Sequence, residues 1–175
     1  MIFSCERIYL RPLTQHDFAD LCEILQDPEV VYAYEHTFSD ADVRQWLERQ
    51  QRRYRDDGFG LWAVCLKDGG RMIGQAGLTR QKCEAQSIVE IGYLLKKAYW
   101  CQGYASEAAA GCRDYAFHTL RLPAVYSIIK SDNYSSQRVA ERLGMRKQKE
   151  FLATFYNGPV PHILYGMENP ADITP

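Results

Sequence analysis

Between positions 60 and 95 three strand-like runs follow one another with no helix between them, and this succession limits the fold more than any other feature of the chain. The run 60–67 is joined to 71–80 by Asp68-Gly69-Gly70, a turn sequence that reads as a hairpin. A third run, 87–95, is the most apolar. A chain with this centre does not alternate strand and helix regularly enough for a doubly wound dinucleotide fold.

The flanking elements follow from periodicity and stop signals. Residues 6–12 alternate polar and apolar and end at Pro12, a short first strand. Thr14 with Asp17 reads as a capping box for a helix striped by Phe18, Leu21, Cys22 and Leu25 and broken at Asp27-Pro28. Ser39 with Asp42 opens a second helix, with Val43, Trp46, Leu47 and Tyr54 along one face. Its Arg49, Arg52, Arg53 and Arg55 suggest a nucleic-acid patch, but the interleaved acids and glutamines read as a solvated helix face. Residues 106–120 form an Ala-rich helix, 124–130 a buried strand, and 135–143 a short helix ended by Gly144. Two last strands, 147–156 and 162–167, flank an Asn157-Gly158 turn, and the tail 169–175 is expected to fray. The order β-α-α-β-β-β-α-β-α-β-β makes one α+β domain over 1–168, a mixed sheet of about seven strands flanked by about four helices.

At 175 residues, 46% of them apolar, the chain can bury a core without disulfide or metal staples. Its 21 basic and 22 acidic residues give a net charge of -1, which argues against nucleic-acid binding through bulk positive charge. The 12 tyrosines suggest that some line a wet cleft. The six cysteines show neither C-x-x-C nor His at metal spacing, so no metal is expected. With no basic-then-apolar leader and no apolar run near the roughly 20 residues of a membrane span, the scattered thiols read as a cytoplasmic protein with no membrane partner.

The stretch from Glu90 to Ala108 carries the chemistry. It is a strand, a short loop and a helix opening on Gly103-x-Ala105, where small residues let a ligand approach the backbone. The unpaired N–H groups and positive dipole end of such a helix suit a pyrophosphate. The stretch lacks the G-K-S/T ending of a P-loop and the full G-x-G-x-x-G of a dinucleotide fold.

This stretch resembles the acetyl-CoA motif of the GNAT superfamily of N-acetyltransferases, Q/R-x-x-G-x-G/A, and more closely the branch that includes the RimJ and RimL ribosomal-protein N-terminal acetyltransferases. Four further pieces agree in order: Glu6-Arg7-Ile8-Tyr9-Leu10-Arg11-Pro12, Asp27-Pro28-Glu29-Val30, the run from Asn133-Tyr134-Ser135-Ser136 to Leu143-Gly144-Met145, and Asn157-Gly158. The resemblance implies central strands that splay to admit the pantetheine arm of acetyl-CoA. Backbone groups of Tyr93, Leu94 and Leu95 would pair with that arm like an added strand. Trp100, Cys101, Gln102, Gly103, Tyr104 and Ala105, with Ser106 at the helix opening, would hold the pyrophosphate. Asn133 would reach the arm, unless it is only a turn residue. Trp100 departs from the pattern at the Q/R position, leaving the phosphate to backbone N–H groups. Cys101 makes a covalent acetyl-cysteine route conceivable, but direct transfer in a ternary complex is the family habit.

The reaction needs a base for the attacking amine and a donor for the departing thiolate. The Tyr that many members place in the short helix is missing, since Ala140 and Glu141 stand there. RimL-like members use a Ser three residues after the Asn, here Ser136, which could instead cap the helix. The Glu of that branch before the Asn-Gly turn is replaced by Thr154. Glu90 is the first substitute base, with its facing dependent on whether the strand carries a bulge, and His162 the second. Tyr32, Tyr34, Glu35 and His36 fall where the family rims its acceptor groove, and Glu35 could pair with a cationic amine. Three functions remain open: an N-acetyltransferase acting on peptide N-termini, one acting on an aminosugar, polyamine or amino acid, and a non-catalytic acyl-CoA-binding domain. The oligomer is open too, with a homodimer among the options.

Overall fold

The computed structural model describes residues 1–154 and 158–172. Eight strands form one mixed sheet: β1 (Phe3–Ser4), β2 (Ile8–Arg11), β3 (Leu61–Leu66), β4 (Met72–Cys83), β5 (Gln86–Leu95), β6 (Ala124–Lys130), β7 (Arg146–Thr154) and β8 (Pro159–Glu168), in the order β1-β2-β3-β4-β5-β6-β8-β7. The strand beyond the expected seven or so is β1, whose two residues are too short to show a period. Neighbours pair antiparallel except β5 and β6, which run parallel because a helix crosses between them.

Four helices cover both faces: α1 (Phe18–Leu25), α2 (Asp40–Asp56), α3 (Tyr104–Asp114) and α4 (Tyr134–Arg142). Local chemistry sets their starts. Thr14 N–H donates to Asp17 Oδ2 at 2.8 Å, capping a 3-10 turn over Gln15–Asp17 that leads into α1, and Ser39 and Asp42 exchange bonds of 2.8 and 3.2 Å at the start of α2. Helices α1 and α2 bury Leu21, Ile24, Val43 and Leu47 against Leu61, Ala63 and Cys65. On the opposite face Ala108, Ala109 and Cys112 of α3 and Val139 of α4 meet Trp62, Val64 and Ile91. The alternation of β3 between these two cores is the period of a strand buried on both faces.

Several expectations need correction. Helix α3 begins at Tyr104 rather than at position 106, with Gly103 as its N-cap, and its last turn is a π-turn over Tyr115–Thr119. The tail expected to fray is anchored at its start. Asn169 is buried, its N–H bonds Pro123 O at 2.7 Å, and Nδ2 donates to Leu122 O at 3.2 Å. Asn157 and the end of the strand expected over 147–156 lie outside the described residues. All six cysteines are free thiols. Among the described residues no helix is long and apolar enough to cross a membrane.

Gly77 of β4 fixes how closely α2's connection packs on the sheet. A Cβ there would lie 2.0 Å from Gly60 O and 2.9 Å from Leu61 Cα, both backbone atoms that cannot rotate away. Gly77→Ala is therefore expected to lower stability by about 2–3 kcal/mol, seen as a drop of roughly 5–10 °C in Tm by circular dichroism.

Candidate active site

The sheet opens at one point. Strands β4 and β5 pair without a break from Gly74↔Leu95 to Cys83↔Gln86, whereas β5 and β6 share one register pair, Glu90↔Tyr126. Just beyond it, side chains take over from the backbone ladder. Ser127 Oγ donates to Ile91 O at 3.0 Å, and Ile128 N–H donates to Glu90 Oε1 at 3.2 Å. Past this fork the strands diverge around a cleft of about 810 Å³, in the range of small-ligand sites. Tyr93, Leu94 and Leu95 line it on the β5 side, and Ile128, Ile129 and Lys130 on the β6 side. A smaller depression of about 390 Å³, between the β1 segment and α3, holds none of the candidate catalytic residues.

The loop after β5 is shaped by unusual backbone angles and by polar ties. Cys101 has φ +59° and Gly103 φ +84°, and together they turn the chain so that α3 starts directly at the cleft. At Gly103 glycine is required by this left-handed conformation, since an added Cβ would meet only the Arg7 guanidinium, at 3.3 Å. Trp100, Cys101, Gly103, Tyr104, Ala105 and Ser106 all line the cleft. Gln102 does not: its Nε2 donates to Ala98 O at 2.9 Å, and its carbonyl accepts from Arg7 Nη1 at 2.9 Å. The Trp100 indole N–H donates to Leu95 O at 2.9 Å, closing the loop onto the strand end. Arg7 straps the first turn of α3 by donating from its backbone N and its Nε to Glu107, at 2.7 and 2.8 Å. The amides of Tyr104, Ala105 and Ser106, as the first of the helix, have no intrahelical acceptor and suit an anion.

The catalytic candidates sit on opposite faces of the fork. The unbroken β4–β5 register excludes the bulge that would have reversed Glu90, which shares its face with Leu94 on the α1–α2 side. Burial pushes the Glu90 carboxyl above the usual range; Ile128 N–H, Gln81, Thr79 and Arg53 oppose that shift without cancelling it. Thr79 Oγ1 donates to Glu90 Oε2 at 3.3 Å, and both oxygens keep lone pairs for a further partner. Ser136 lies on the α3–α4 side, in the first turn of α4. It is not the helix cap: Asn133 is, its Oδ1 accepting the Ser136 N–H at 3.1 Å. Asn133 also lines the cleft, and with Oδ1 committed to the cap a ligand would meet its Nδ2. The Tyr93 phenol reaches across to Ser136 O at 3.5 Å, and burial pushes its pKa up to about 12. His162 is buried at the cleft wall with Nδ1–H donating to Val160 O at 2.8 Å, and burial lowers its pKa below the usual value. It is therefore neutral at pH 7, with Nε2 as its basic nitrogen.

Of the residues expected to rim the acceptor groove, Tyr32 and Tyr34 line the cleft, whereas Glu35 and His36 do not. Glu35 is committed to Lys130 Nζ at 3.0 Å, and His36 packs edge-on against Phe38 at 4.7 Å with Asp42 beside it at 3.7 Å. Among the cleft residues that sequence reading missed are two half-buried arginines. Arg49 and Arg53 of α2, read as part of a solvated face, line the cleft beside Trp46, while Arg52 and Arg55 are exposed. The signal was their spacing: 46, 49 and 53 fall on one helical face, and 52 and 55 do not. Ser127, a polar residue inside an otherwise apolar strand, was a second signal.

Residues 7–146 match the family described as Acetyltransferase (GNAT) domain. An uncharacterized protein of Bacillus subtilis (strain 168), YkkB, is 36% identical over 145 residues, covering 82% of this chain and 84% of its own. Among solved structures, an acetyltransferase from Agrobacterium tumefaciens str. C58 superposes with a TM-score of 0.80 at 28% identity, covering 95% of this chain and 93% of that one. The same fold is shared by two proteins with different named substrates. A ribosomal-protein-S5-alanine acetyltransferase from Vibrio fischeri gives a TM-score of 0.78 at 19% identity, covering 99% of this chain and 98% of that one. A spermidine N-acetyltransferase from Vibrio cholerae, in complex with CoA and spermine, gives 0.77 at 16% identity, covering 93% and 96%.

The environment of Glu90 sets a pH dependence of stability. Its folded pKa is raised, so the native state holds the proton more tightly than the unfolded chain does, and stability falls as pH rises from about 4.3 through the folded value. Glu90→Gln, which keeps an acceptor for Ile128 N–H, is expected to melt higher than the unaltered protein at pH 7. Below about pH 4, where both states carry a protonated carboxyl, that advantage should vanish. Paired thermal melts at the two pH values check this.

Proposed function

The chain belongs to the GNAT acetyltransferase family and is an acetyl-CoA-dependent N-acetyltransferase; from that premise we propose that it transfers the acetyl group directly to a primary amine within a ternary complex. The observation that carries this reading is the fork, which leaves the outward backbone groups of Tyr93 without a β6 partner, while those of Leu94 face β4, and opens a passage between the two faces of the sheet. An extended amide chain fits the β5 edge as an added strand. The amides of Tyr104, Ala105 and Ser106 fit a pyrophosphate at the helix start, and Asn133 lies across the same passage. Acetyl-CoA supplies the activated acetyl thioester.

Two side chains then divide the proton traffic. Glu90, on the α1–α2 face, accepts the proton of the attacking amine, directly or through one water. Its raised pKa brings it closer to the operating pH and makes it a stronger base than an ordinary carboxylate. Ser136, on the α3–α4 face, hydrogen-bonds the thiolate as it departs, and that bond strengthens as charge develops. His162 is the alternative base, with a neutral imidazole at pH 7. Six free thiols are compatible with a cytoplasmic site of action.

The test is a screen that reads free CoA from acetyl-CoA with peptides bearing free N-termini and with small amines. CoA release with one acceptor class is expected, and tight CoA binding with no release across a broad panel would favour a non-catalytic acyl-CoA-binding domain. Within an active assay, Glu90→Gln should lower kcat by about 100-fold while acetyl-CoA Kd hardly changes; full kcat at neutral pH would pass the role to His162 or to water. Ser136→Ala should lower kcat by about 10- to 1000-fold. Because Asn133 caps α4, this change should leave Tm nearly unaltered, and a fully active variant would remove Ser136 from the mechanism.

A further inference from the structure

The charges along the cleft are not evenly compensated. Glu29 is paired with Lys97, and Asp132 with Lys130 at 3.5 Å. Arg49, Arg53, Arg138 and Arg142 also line the cleft, and among the described residues none forms an ion pair; Arg138 and Arg142 are exposed on α4, whereas Arg49 and Arg53 are half-buried on α2. The Arg49 guanidinium stands 5.1 Å from the centre of the Trp46 ring, and Arg53 Nη1 donates a long 3.3 Å bond to Gln50 Oε1. Asp57, which attracts Arg53 from the end of its own helix, is already bonded to Arg80 at 2.9 Å. Burial, and next the like charge of Arg49, works against the charge on Arg53. Glu90 attracts Arg53 across the cleft from the sheet face that α2 covers, but the two are not in contact.

Two half-buried guanidiniums on one wall, neither in an ion pair among the described residues, are a standing cost that an incoming oxyanion relieves. The same pair repels a polycation, which discriminates against the wrong acceptor as effectively as a contact selects the right one. Resting on the transferase reading above, we propose that Arg49 and Arg53 bind an oxyanion of the acceptor, so that the acceptor is a small amine carrying its own carboxylate or phosphate. Its oxyanion lies against α2 and its amine is turned toward Glu90.

Matched acceptors test this on the unaltered protein: an amino acid against its carboxamide, an aminosugar phosphate against the free aminosugar, and, as unmatched controls, spermidine and a C-terminally amidated tripeptide. For at least one pair, kcat/KM from CoA release should favour the oxyanion member by about 10- to 100-fold, the usual worth of a charge-assisted hydrogen bond. Which pair shows it separates carboxylate from phosphate. Arg49→Gln and Arg53→Gln should each shrink that ratio by about tenfold or more, and Arg53→Lys should keep part of it. Calorimetry of the same pairs with CoA present reads the preference without turnover. Preferred binding of the oxyanion member without CoA release would sink the transferase reading and leave this site standing. Turnover that favours the neutral members, spermidine or the tripeptide, or a ratio that the arginine substitutions do not move, would overturn the proposal. If a variant does not fold, the matched pairs on the unaltered protein still decide.

Discussion

The hydrogen bond from Ile128 N–H to the Glu90 carboxylate is the interaction on which the site depends. Parallel strands can separate only if the backbone groups freed by the separation find other partners, since an unpaired buried N–H costs about 1–3 kcal/mol. Here two side chains absorb that cost at the fork, Glu90 on one strand and Ser127 on the other. The sheet can therefore part after one shared pair without leaving orphaned groups at the branch point. The same carboxylate is held in a setting that raises its pKa, so one side chain both ties the fork and presents a carboxyl of raised pKa to the cleft. The burial that raises this pKa also carries a stability cost once the carboxyl ionises.

The loop that follows is organised around the start of α3. Two left-handed residues, Cys101 and Gly103, turn the chain so that the first helical residues line the cleft. Three ties hold that geometry: Trp100 to the end of β5, Gln102 to Ala98, and Arg7 to both Gln102 and Glu107. Arg7 comes from the far end of the sequence, and its guanidinium also lies 4.4 Å from the centre of the Tyr104 ring. The start of α3 is thus fixed by a residue about a hundred positions away, which explains why the amino-terminal segment belongs to the same structural unit as the central motif.

The two faces of the sheet give the cleft an asymmetric character. On the α3–α4 side Ser136 and the capping Asn133 stand beside Tyr104 and Tyr134, with the exposed Arg138 and Arg142 of α4 at its edge. On the α1–α2 side it is walled by aromatic and cationic groups, Tyr34, Trp46, Arg49 and Arg53, with Glu90 and Thr79 beneath them. The aromatic cluster of Tyr34, Phe38 and Trp46, with ring centres 5.8 to 6.2 Å apart, fixes the loop before α2 against that helix. Trp46 is itself held by its indole N–H to the buried Gln75 at 2.9 Å, so this wall is anchored to the sheet.

Local chemistry determined much of this protein from the sequence alone. The capping pairs Thr14–Asp17 and Ser39–Asp42 mark helix starts because their bonds close within three residues. The hairpin between β3 and β4 and the strand–loop–helix of the central motif are likewise legible, because period and turn chemistry are short-range properties. The resemblance carried by positions 90–108 and 133–145 reached the family for the same reason: the motif is contiguous. Only the tertiary structure decided what depends on pairs distant in the chain. The facing of Glu90 required the register with β4, and the commitment of Glu35 required Lys130, brought near from the other side of the fork. Asn133, rather than Ser136, caps α4 because of a backbone turn that no spacing rule distinguishes. Arg49 and Arg53 carry the same charge and lie on the same helix as Arg52 and Arg55. What separates them is the sheet beneath α2, since a helix face becomes a cleft wall only where another element stands opposite it.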